Sequence, residues 1–92
     1  MPHYLRFDEE HWLRDKQDDG KIVILEDESV WEVHPMDRAV AARWLRISSI
    51  TVTVKDTQKE EYRYVLTNTT DGEMARANYL SGPSKTIASD VA

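Results

Sequence analysis

Residues 49–54 alternate strictly, with Ile50, Val52 and Val54 on one side and Thr51 and Thr53 on the other, a period of two that predicts a half-buried strand. Upstream, Ile22–Leu25 and Val30–Val33 are short runs rich in β-branched and aromatic residues. Only the acidic turn Glu26-Asp27-Glu28-Ser29 separates them, which predicts a hairpin. Trp31 and Val33 then share one face, and Glu32 between them marks the opposite face as the wetter one. Downstream, residues 62–67 read as a further strand, and Asp71-Gly72 turns the chain into a last one over residues 73–80. The final three strands are expected to form an antiparallel meander.

Helical spacing is confined to two places. Over residues 35–45, Val40 and Trp44 lie four apart, as do Ala41 and Leu45, giving one apolar side. Pro35 suits the first helical position, Asp37 the first turn, and Arg43 and Arg46 the negative end. The small Ala39, Ala41 and Ala42 allow close packing on a sheet. A shorter helix is expected over residues 8–14, with Asp8 as N-cap, Glu9 and Glu10 in the first turn, and Phe7 stapled to Trp12. It ends in the polar stretch that closes on Gly20.

The expected fold class is therefore mainly β: a small five-stranded bent sheet or SH3-like partial barrel with one inserted short helix and a short N-terminal helix. Residues 1–20 form the helical extension and residues 21–81 the β domain. Residues 82–92, with only Ile87 and Val91 to bury, are expected to be a disordered tail. Trp31, Val33, Val40, Trp44, Ile50, Val52 and Leu66 are the expected core.

Composition narrows the function by exclusion. A chain of 92 residues suits one domain. Its net charge of −5 and singly scattered basic residues leave no patch to displace counterions from a nucleic acid backbone. No apolar run approaches the ~20 residues that cross a bilayer. With no cysteine there is neither a disulfide nor a thiolate zinc site. No basic-then-apolar leader opens the chain, so a cytoplasmic location is expected, with export of a processed chain as the alternative.

No catalytic constellation emerges. His3, His11 and His34 lack the close spacing of zinc ligands, so no metal site is expected from them. Asp27, Glu28 and Asp37 are explained as turn and cap residues, and no G-x-S-x-G elbow surrounds a serine. Gly20, Gly72 and Gly82 are too dispersed for a phosphate loop, and no cofactor is implied. Aromatic residues are the remaining lead. Tyr62 and Tyr64, with Arg63 between them, suit a sheet face that receives an unknown protein or peptide. The leading expectation is a noncatalytic interaction domain, monomeric or weakly dimeric, with Lys55, Lys59, Glu60 and Glu61 blunting an open edge. A small-ligand or cation-binding role is the alternative, with Ca²⁺ on Asp18, Asp19, Glu26, Asp27 and Glu28. An enzyme ranks third.

The stretch from Gly20 through Glu26-Asp27-Glu28-Ser29 to Trp31-Glu32-Val33, followed by Asp37, Trp44, Ile50, Val52, Leu66-Thr67-Asn68 and Asp71-Gly72-Glu73, carries a resemblance. It resembles a group of small uncharacterised bacterial proteins with a Leu-acid-Gly-Ser turn into a Trp-Glu-Val strand, a later tryptophan and a Leu-x-Asn strand end. Over about residues 20–80 the resemblance implies an SH3-like β domain. It also implies export for many members, and no catalytic residue. Glu28 stands where the pattern has glycine, so this turn either avoids positive φ or is strained. Residues 46–48 replace a glycine-acid turn.

Overall fold

A computed structural model of the chain describes residues 10–54 and 61–82. The alternating segment becomes β4 (Ser49–Val54), and the runs flanking the acidic turn become β2 (Ile22–Leu25) and β3 (Val30–Val33), paired as an antiparallel hairpin. β5 (Tyr64–Asn68) and β6 (Glu73–Ser81) follow, and the β4–β5–β6 meander forms with Leu66 opposite both Val52 and Ala75.

The N-terminal helix is a correction. His11–Gln17 is a strand, β1, and the residues before Glu10 lie outside the described part. The helix signals at Asp8, Glu9 and Glu10 are local, whereas His11 and Leu13 are buried and Trp12 and Arg14 exposed, which is strand periodicity. Pairing on both edges decides the outcome: β1 runs antiparallel to β2 from Leu13 opposite Leu25 to Gln17 opposite Ile22, with a bulge at Arg14. On its other edge His11 faces Ile50 and Trp12 faces Ser49 in β4. This added strand closes the sheet. Among the described residues six strands form an antiparallel barrel in the order β1-β2-β3-β6-β5-β4, in place of a five-stranded partial barrel. Closure removes the open edge that edge-to-edge pairing requires.

The helix is shorter than its apolar spacing suggests. A 3₁₀ turn, Pro35–Asp37, leads into α1 (Arg38–Ala42), and the Nδ1 of His34 caps the turn by accepting the Met36 N–H at 3.0 Å. Beyond Trp44 the chain is captured by β1. The Ile47 N–H donates to the Leu13 carbonyl at 2.8 Å, and the Leu13 N–H to the Ser48 carbonyl at 3.0 Å. Leu45 is consequently exposed, although its spacing from Ala41 places it on the apolar side.

Trp31, Val33, Trp44, Ile50, Val52 and Leu66 are fully buried, and Val40 packs against them half-buried. Trp31 anchors the centre. Its ring meets Tyr64 edge-on at 5.3 Å and Tyr79, its cross-strand partner, at 5.1 Å. Such ring pairs add to the stabilisation from burial alone.

Candidate functional site

The antiparallel register of β1 and β2 brings the histidine and the acidic turn together. Leu13 faces Leu25, and the Glu26 N–H continues the ladder by donating to the Trp12 carbonyl at 3.0 Å. Running one step further, the turn acids arrive beside His11. The Nδ1 of His11 lies 2.9 and 3.1 Å from the two carboxylate oxygens of Glu26, and 3.9 Å from Asp27 Oδ2. His11 is buried, the Asp27 side chain is 1% exposed, and that of Glu26 is 17% exposed.

Both carboxylates are oriented by neighbours. Asp27 Oδ1 accepts from the Ser29 hydroxyl at 2.6 Å and from the Ser29 N–H at 3.0 Å, while the Trp31 indole N–H donates to Ser29 Oγ at 2.9 Å. Glu26 Oε1 accepts the Trp12 N–H at 3.1 Å. This network links the core tryptophan to the turn. Burial pushes the Tyr79 phenol above its usual pKa, and the negative charges of Asp27 and then Tyr64 act in the same direction.

The outer side of the same barrel end is apolar. Trp12, on the outward face of β1, is 50% exposed, and Ile47 is 79% exposed. They border a shallow depression of about 460 Å³ that Glu10, His11 and Ser49 also line. Ile47 is held at φ 64°, a left-handed conformation that a β-branched residue rarely adopts. Arg46 is fixed beside it, donating from Nε to the Arg14 carbonyl at 3.1 Å.

The residues expected to bind a partner are separated by the fold. Tyr64 points inward at 4% exposure and is part of the core. Tyr62 is half-buried at φ 52°, its ring 4.6 Å from that of His34 and its N–H donated to the side chain of Asn78. Arg63 is half-buried between them. The acidic set is also divided. Asp18 and Asp19 follow the far end of β1, a strand of roughly 20 Å, whereas Glu26 and Asp27 lie at its start. Glu28 is exposed on the turn at φ 72°.

Sequence reasoning missed His11, Trp12, Ser29 and Ile47. The alternation His11-Trp12-Leu13-Arg14 held the signal for the first two, but acidic helix-start residues upstream masked it. No family model, curated protein or solved structure matches the chain.

Proposed function

We propose that this barrel is a noncatalytic interaction domain that receives an extended segment of a partner protein across the rim formed by Trp12 and Ile47. The observation that carries this reading is the pair of exposed apolar side chains from two different segments, β1 and the loop before β4, bordering one depression. Trp31 and Trp44 are fully buried, so half-exposed Trp12 stands apart as an indole offered to solvent. Indole and aliphatic groups on a rigid strand and a fixed turn are what an apolar anchor residue of a peptide binds against. Tyr62 and Arg63, half-buried just before β5, are the second place where a partner would be read.

The test is selection from a displayed peptide library against the whole chain, with a Trp12→Ala/Ile47→Ser variant as the counter-bait. Enriched peptides should share an apolar anchor, change Trp12 fluorescence on binding, and lose at least tenfold in affinity for the variant. Absence of enrichment, or equal retention by a folded variant, overturns the reading. Loss on Tyr62→Ala instead would move the surface to the segment just before β5.

A further inference from the structure

We propose that His11, Glu26 and Asp27 form a binding site for a divalent transition-metal ion such as Zn²⁺, which accepts imidazole nitrogen and carboxylate oxygen as ligands. The three donor atoms all lie within 4.8 Å of one another. In a four-coordinate site with bonds of about 2.1 Å, ligand atoms stand roughly 3.4 Å apart. The His11 Nδ1 distances of 2.9 Å to Glu26 and 3.9 Å to Asp27 bracket that spacing, so small side-chain rotations complete the triangle.

The arrangement goes beyond what an ion pair requires. One carboxylate suffices to pair with an imidazole, whereas here two face the same nitrogen, at 2.9 and 3.9 Å. Each carboxylate is also aimed. Ser29 holds Asp27 Oδ1 by two hydrogen bonds, Oδ2 lies 3.9 Å from His11 Nδ1, and Ser29 is itself held by the Trp31 indole. The Trp12 N–H holds Glu26 Oε1. Hydrogen-bonded support of this kind is the outer shell that metal ligands use. His11 is set in β1 opposite Ile50 of β4, and on the other edge the next residue, Trp12, accepts the Glu26 N–H at its carbonyl, which holds the backbone at the histidine. Binding requires the neutral imidazole with its proton on Nε2, freeing the Nδ1 lone pair. Three protein donors leave at least one coordination position for water or a further donor.

The untagged full chain, stripped with a chelator, is titrated with ZnCl₂ by calorimetry and with CoCl₂ by visible absorption, and its melting temperature is recorded in both states. The site predicts one ion per chain, a cobalt spectrum of low coordination number, and a rise in Tm of about 10 °C or more at a hundredfold excess over Kd. Glu26→Gln, at the most accessible of the three ligands, should lower affinity at least tenfold. Ser29→Ala should lower it by about 10–100-fold. Asp18→Asn/Asp19→Asn, at the far end of β1, should leave affinity unchanged. No heat and no shift in Tm with the wild-type chain overturns the site and leaves a buried ion pair. So does binding that survives Glu26→Gln. His11→Gln and Asp27→Asn are secondary, because both residues are buried; the cobalt spectrum of the wild-type chain tests the site without them.

Discussion

The carboxylate of Asp37 accepts three hydrogen bonds from one residue thirty-nine positions away: the Arg76 backbone N–H at 2.9 Å, its Nε at 2.8 Å and its Nη2 at 3.1 Å. They tie the 3₁₀ turn after β3 to the middle of β6, beside a depression of about 420 Å³ lined by Thr53, Val65 and Met74. The hydrogen bonds from Arg76 hold the Asp37 carboxyl below its ordinary pKa in spite of desolvation. A lowered folded-state pKa contributes stability above the unfolded value, 3.8, which is lost as pH falls through the folded value. Asp37→Asn should therefore lower Tm by a few degrees near pH 7, and the gap from wild type should narrow as pH falls below about 4. Thermal melts from pH 7 to pH 2.5 check this, and a gap constant with pH contradicts it.

Gly20 packs its α-carbon against α1. An added β-carbon would lie 2.1 Å from the Arg38 carbonyl oxygen and 2.8 Å from the Ala42 nitrogen, and the residue sits at φ 93°. Both objections concern backbone, which cannot swing aside. Gly20→Ala is expected to destabilise by about 3 kcal/mol, summing left-handed strain and displacement of α1. Urea denaturation should show the midpoint falling with the slope unchanged.

Ser29 joins the turn to the core through Asp27 and Trp31. Ser29→Ala removes the acceptor of the Trp31 indole N–H and a donor to Asp27 at once, in a buried setting. The expected cost is about 1–3 kcal/mol. Ser29→Thr retains the hydroxyl and should recover part of that loss, as read from the same denaturation curves.

Strands whose pattern reflects burial were legible in the sequence: residues 49–54 and the Trp31/Val33 face read out because one side meets the core. β1 was not, because the acids just before it favour a helix start locally, and its strand state is imposed by β2 and β4, distant partners that local propensity does not report. Tyr64 shows the same limit. Its alternation with Tyr62 is visible, but barrel closure is what turns its ring toward Trp31. The histidine spacings considered from the sequence compared histidines only with one another, so the juxtaposition of His11 with Glu26 and Asp27, created by hairpin register, stayed hidden. Glu28 adopts φ 72°, so of the two outcomes expected for this turn it is the strained one, and avoidance of positive φ is not what the backbone does.

Ile47 ties stability to binding. A β-branched side chain at φ 64° costs roughly 1–2 kcal/mol relative to a residue free to adopt that conformation, and at 79% exposure its packing offsets little of this. The turn cannot relax, because the Ile47 N–H is committed to the Leu13 carbonyl and the Ser48 N–H to the Leu45 carbonyl. Ile47→Gly removes the strain and gives back part of the gain as unfolded-chain entropy, for a net stabilisation of about 1 kcal/mol and a rise in Tm of a few degrees. If Ile47 is kept for a partner, the same change should weaken peptide binding at the Trp12 rim at least tenfold while the protein becomes more stable. Melting and binding measured on one preparation separate the cases. Stabilisation with unchanged binding removes Ile47 from the proposed surface, and destabilisation shows that its side chain holds the turn.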